Sequence, residues 1–224
     1  MNIAIQNWRQ REKMYLLRII CMMVGLVMLG CGAAPGGDSL DGANSDLGLP
    51  VSGAAAKVQQ GWTTFKDGGF STSKELFNQV IGSGDATNLE LADAYAGMGW
   101  AEVKLNGSNS GIPSFRNALS KNAKQEDALV GLAGALVSKG DRTSIDEAVS
   151  LLEGLGDGGG TFTYFDEYNV GVSNAEAHAL LAYGYFVQGN RSKADQQIAI
   201  ARDLDSQFSG TPVDQIDDIL SFIP

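Results

Sequence analysis

The chain has 224 residues, 44% of them hydrophobic, which is enough for a sizeable core and too much for a chain disordered throughout. Its formal charge of −10 at pH 7 repels phosphate backbones and excludes nucleic acid as a partner. Two cysteines, Cys21 and Cys31, and the single histidine, His178, leave little material for thiol, zinc or triad chemistry. The N-terminal segment runs against the overall charge, with Arg9, Arg11, Lys13 and Arg18 set against Glu12. An uncharged apolar run of 12 residues follows, Ile19 to Gly30. A membrane-spanning helix needs about 20. A basic start, a short apolar core and a small residue at its end predict a signal peptide over residues 1–30.

Val27-Met28-Leu29-Gly30-Cys31 resembles the bacterial lipobox, in which apolar residues and a small residue precede an obligatory cysteine. Met28 stands where leucine is more usual. The resemblance implies cleavage between Gly30 and Cys31, a diacylglycerol on the Cys31 sulfur and acylation of the new amine. The partner at this end is then a lipid bilayer, held through acylated Cys31. Acyl chains contribute about 0.8 kcal/mol per buried CH₂, so two or three of them anchor stably. Cys21 leaves with the signal peptide, and the mature chain has neither thiol nor disulfide. Gly32, rather than aspartate, follows the cysteine. By the sorting rule of enterobacterial lipoproteins, this implies the outer membrane, facing the periplasm. An uncleaved signal anchor is the competing reading. Residues 31–53 are rich in Gly, Pro, Ser and Asp and predict a flexible tether.

From residue 54 onward apolar residues recur at helical spacing, broken by Gly, Asn and Asp. The spacing also repeats. In the last unit Leu181-Ala182 and Tyr185 precede a Gly189-Asn190 turn, and Ala194, Ile198 and Ala201 follow. In the second, Met98-Gly99 is followed by Gly111, Phe115, Ala118 and Ala123; in the first, Gly61, Ser73 and Phe77 hold matching places. The third has Leu132-Ala133, Leu136 and Gly140, then Ala148, Leu152 and Leu155 after a longer turn. These residues resemble the tetratricopeptide repeat, a helix–turn–helix in which a small residue on helix A admits helix B and a large one on helix B fills the space to the next repeat. The fold expected is all-α: a short solenoid of about four such repeats in a domain over 54–224. A C-terminal capping helix, Val213 to Ile223, opens with Thr211-Pro212.

Residues 156–173 fit no repeat. They form a Gly-rich insertion with a dense aromatic cluster, Phe162, Tyr164, Phe165 and Tyr168. Two readings stand for it: a cover packed over an apolar edge of the stack, or a loop contributing to a binding surface.

In the repeat proteins this chain resembles, helix A lines a groove, and one groove position falls one residue after the Leu-Gly pair. Here it holds Trp62, Trp100, Gly134 and Tyr183, and three residues further on lie Phe65, Val103, Val137 and Phe186. Trp62, Phe65, Trp100, Val103, Tyr183 and Phe186 are therefore candidate groove residues. The opposing reading buries the same stripe against neighbouring helices. Lys66 and Lys104 alone do not make the clamp that some repeats use for C-terminal carboxylates.

No chemical constellation stands out. His178 lacks partners at defined spacing, and neither Asp203 and Asp205 nor Asp217-Asp218 has the glycine turn and terminal glutamate of a calcium loop. No metal, cofactor or catalytic residue is expected. The function expected is a lipid-anchored adaptor of the bacterial cell envelope with a protein or peptide partner, an accessory in envelope, pilus or cell-wall assembly. A binder of a small molecule or glycan is the alternative, and a cell-wall enzyme the least favoured.

Overall fold

The computed structural model describes residues 53–156 and 160–205. The signal peptide, Cys31, the tether as far as residue 52, residues 157–159 of the glycine run and the capping helix all lie outside the described residues. The chain divides into two units. Met1–Leu47 falls among the residues not described, and Gly48–Pro224 contains every element given below.

Eight α-helices make up the described residues, with no strand among them: α1 (Gly53–Lys66), α2 (Phe70–Gly82), α3 (Asn88–Asn106), α4 (Ile112–Lys121), α5 (Glu126–Lys139), α6 (Arg142–Glu153), α7 (Asn174–Val187) and α8 (Arg191–Leu204). A short 3-10 turn, Ser108–Gly111, leads into α4. No described helix is long and apolar enough to cross a membrane. Helix α1 takes in Gly53, one position before the expected domain start.

The starts follow from capping chemistry. Thr87 accepts from the Glu90 N–H at 3.3 Å while the Glu90 carboxylate accepts from the Thr87 N–H at 2.7 Å, a closed capping box before α3. Ser173 and Glu176 repeat the arrangement before α7. The Asp141 carboxylate accepts from the Ser144 N–H at 3.0 Å and starts α6 directly after Gly140, whose φ of 74° ends α5. The third repeat's turn is thus two residues, Gly140 and Asp141, and not the longer one that the spacing predicts.

Each helix packs on its chain neighbour, which gives the pairs α1–α2, α3–α4, α5–α6 and α7–α8. The first helices of successive pairs also touch, α1 with α3, α3 with α5 and α5 with α7, and form one continuous layer. This paired packing resembles tetratricopeptide repeats, as the spacing predicts. The interlock rests on glycine. A Cβ on Gly61 of α1 would come within 2.6 Å of the Phe77 ring, and one on Gly97 of α3 within 2.2 Å. Phe77 of α2 therefore plugs the gap between its own pair and the next, fully buried. Phe115 of α4 does the same between Gly99 of α3 and Gly131 of α5.

Candidate functional site

After Glu153 the chain does not pass directly to α7. Residues 160–173, here called the strap, run back along the layer of first helices. Burial alternates along it: Phe162, Tyr164 and Val170 are buried and Asp166 and Tyr168 half-buried, while Thr161, Thr163, Phe165, Glu167 and Asn169 are exposed. Over residues 161–166 this is the period of two of extended chain; the chain then turns, with the Glu167 N–H donating to the Phe165 carbonyl at 2.9 Å and Asn169 at φ 56°.

The strap meets the first helices in reverse order. At its root the Gln197 side chain of α8 donates to the Gly160 carbonyl at 2.9 Å. Phe162 stacks on His178 of α7, with centroids 4.0 Å apart and planes 3° from parallel. The His178 ring nitrogens face the Phe162 carbonyl at 3.2 Å and the Gln197 side-chain oxygen at 2.7 Å. The Tyr164 N–H donates to Asn174 at 2.9 Å, and the Tyr164 hydroxyl donates to the Asp127 carboxylate of α5 at 2.9 Å. Asp166 then lies close enough to Lys104 of α3 for their charges to act on each other. Tyr168 stacks on Trp62 of α1 at 4.1 Å and 5°, with the Lys66 ammonium 5.6 Å from the Tyr168 ring centroid. Asp166 turns the chain there, accepting from the Val170 N–H at 2.8 Å and the Gly171 N–H at 3.2 Å.

Asp127 is the polar centre. It is 7% exposed, in the first turn of a helix whose middle is apolar. Burial pushes its carboxyl up to about 6, against the hydrogen bonds from Tyr164 and Gln125. Gln125 donates to Asp93 at 2.9 Å and to Asp127 at 3.3 Å, tying the two acids together. Burial also raises Asp93, with the Glu167 charge adding to it. Lys104 is lowered by burial, with Asp166 opposing. Burial, chiefly, and the Asp127 carboxylate raise the Tyr164 hydroxyl far above the usual phenol range. At neutral pH Tyr164 is therefore a donor, and the constellation is a hydrogen-bond latch. Among the described residues no group of three or more His, Cys, Asp or Glu could hold a metal ion.

The expected groove residues divide. Trp62, Phe65, Trp100 and Val103 are buried, Tyr183 is half-buried and Phe186 is 41% exposed. Trp62 and Phe65 meet edge to face at 5.6 Å, while Phe186 sits apart with the Arg191 guanidinium 5.8 Å from its ring centroid. Trp100 Nε1 donates to the Asp127 carbonyl at 3.0 Å, whereas Trp62 Nε1 finds no acceptor among the described residues. Of the loop candidates, Phe162, Tyr164 and Tyr168 face the helices and Phe165 is 75% exposed. Asp127, Asp93, Gln125 and Asp166 were missed from sequence, and Lys104 was weighed only as part of a carboxylate clamp; His178 is used structurally, as expected of a lone histidine. A signal existed: Asp93 and Asp127 precede Trp100 and Gly134 by the same interval, a recurring acid on the first helices.

No family model matches the sequence, and neither does any curated protein. Solved structures do. YrrB, described as a TPR protein with an unusual peptide-binding site, is 21% identical over 69% of this chain and 70% of its own, with a TM-score of 0.47. The MamA protein is 17% identical over 69% of this chain and 74% of its own, also at 0.47. PilF of Pseudomonas aeruginosa is 14% identical over 75% of this chain and 68% of its own, at 0.50. At such identities the PilF likeness speaks to architecture alone.

Proposed function

We propose that the chain is an envelope-anchored, non-catalytic scaffold that holds extended segments of partner proteins against its layer of first helices. One observation carries the reading: the strap, extended over residues 161–166 and turned at its tip, already lies along that layer with alternate side chains turned inward. A surface that seats one extended chain from α7 to α1 has the length and the apolar sockets to seat another. In this reading acylated Cys31 holds the domain to a membrane of the bacterial envelope, where it serves the assembly of envelope, pilus or cell-wall structures.

Glycan capture is favoured less. It needs free aromatic faces, and Phe162 and Tyr168 already stack on His178 and Trp62.

The test is affinity capture from gently solubilised membranes, comparing the full chain with its Cys31→Ser form. The expected result is a reproducible partner with the native form and release of the Cys31→Ser protein from the membrane fraction. Absence of any partner with either form would remove the scaffold reading. A Cys31→Ser protein that stays in the membrane would remove the anchor.

A further inference from the structure

The face assigned to a partner is filled by the chain's own residues, and the filling has a pattern. We propose that the strap is a displaceable stand-in whose inward side chains spell the chemistry of the partner: an extended acidic–aromatic segment that places a ring on His178, a phenol toward Asp127, an acid beside Lys104 and a second ring on Trp62. This rests on the scaffold reading above and narrows it to a class of partner.

Three features support it. The inward positions Phe162, Tyr164 and Asp166 alternate with exposed ones along residues 161–166, as side chains do in a bound extended peptide, and the turn at Glu167 and Tyr168 delivers the second ring to Trp62. The backbone hold is uneven. At the root the Gly160 and Phe162 carbonyls meet Gln197 and His178 and the Tyr164 N–H donates to Asn174, but toward the tip the Val170 and Gly171 N–H groups donate to Asp166 within the strap itself. The fit is also incomplete. Trp62 Nε1, 2% exposed beneath Tyr168, is left without an acceptor among the described residues, whereas the equivalent Trp100 nitrogen has one. The outward Glu167 adds a further charge near Asp93, which a partner need not carry.

The probe is a labelled synthetic peptide with the sequence of Thr161–Val170, titrated in fluorescence anisotropy against the native full chain and against a full chain with residues 161–172 replaced by Gly and Ser of equal length. The expected result is that the replaced chain binds the peptide at least about tenfold more tightly than the native one, because its site is always open. Alanine in the peptide at the positions of Phe162, Tyr164 and Tyr168 removes binding, and alanine at the position of Phe165 leaves it. A replaced chain that is folded by circular dichroism and does not bind the peptide overturns the proposal.

Native-state hydrogen exchange on the unmodified full chain decides the matter if the replaced chain does not fold. The strap amides of Tyr164, Val170 and Gly171 should exchange at least about tenfold faster than those in the middle of α5, and saturating peptide should speed them further. Strap amides that open only together with α5 overturn the proposal. A negative peptide result alongside a captured membrane partner removes this inference and leaves the scaffold. Loss of both removes both.

Discussion

At the scale of single residues, Asp127 dominates. A carboxyl that titrates at about 6 in the folded chain and near 3.9 when unfolded holds its proton more tightly in the fold. Its contribution to stability is therefore complete below pH ~4 and fades as the pH rises through about 6. At about 1.4 kcal/mol per pH unit the full effect approaches 3 kcal/mol, and Asp93 shifts in the same direction. Urea unfolding between pH 4 and pH 6.5 should show native stability falling across this window, and Asp127→Asn should flatten that slope. An unchanged slope in the variant would put the proton elsewhere. Tyr164→Phe leaves a buried carboxylate short of a donor, and should cost about 1–3 kcal/mol at pH 7. The loss should shrink toward pH 4, where Asp127 is neutral.

At the scale of helices, glycine position decides sign. Gly131 and Gly134 lie on the same turn of α5, yet a Cβ at Gly131 would come within 2.4 Å of the Phe115 ring and one at Gly134 would meet nothing within 4 Å. Alanine is worth about 1 kcal/mol over glycine inside a helix, while overpacking a rigid core costs about 1–3 kcal/mol. Gly134→Ala should raise the melting temperature and Gly131→Ala should lower it; thermal melts of the two side by side check this. These interlocks were legible because they are written locally: the Gly99 and Phe115 places stand at fixed spacing within one repeat. The strap was not legible in the same way. Tyr164 finds Asp127 across 37 residues, and nothing local announces such a contact. Part of it was nonetheless on view. Phe162, Tyr164 and Asp166 alternate with Thr161 and Thr163, a period of two that marks extended chain even without a sheet to join. Phe165 breaks the alternation and makes the segment look like an unpatterned aromatic cluster. Asp127 was hidden differently. An acid in the first turn of a helix has a sufficient explanation in the helix dipole, and the hydroxyl that meets this one comes from the strap.

At the scale of the molecule, a solenoid is held by contacts between neighbours, so its repeats can fray one at a time. The strap changes that by joining α7 and α8 at its root to α1 at its tip. The first and last repeats thereby share interactions that no neighbouring pair provides. Tyr168→Ala removes the joint at Trp62 and leaves the root in place. Hydrogen exchange of α1 amides should quicken by more than about tenfold in that variant, while α7 and α8 stay near native rates. Equal acceleration at both ends would mean that the stack unfolds as one body without the strap's help.

The stacking of Tyr168 on Trp62 also sets an order in time. Roughly a hundred residues separate the two rings along the chain, which at about 5–20 residues per second leaves the first repeats finished for several seconds before their cover is made. Through that interval the face of Trp62 awaits Tyr168, while Asp127, 37 residues before Tyr164, waits for a shorter time. A nascent domain in this position is at its most adhesive before it is complete, and the strap's arrival marks the moment when promiscuous contact gives way to selective contact.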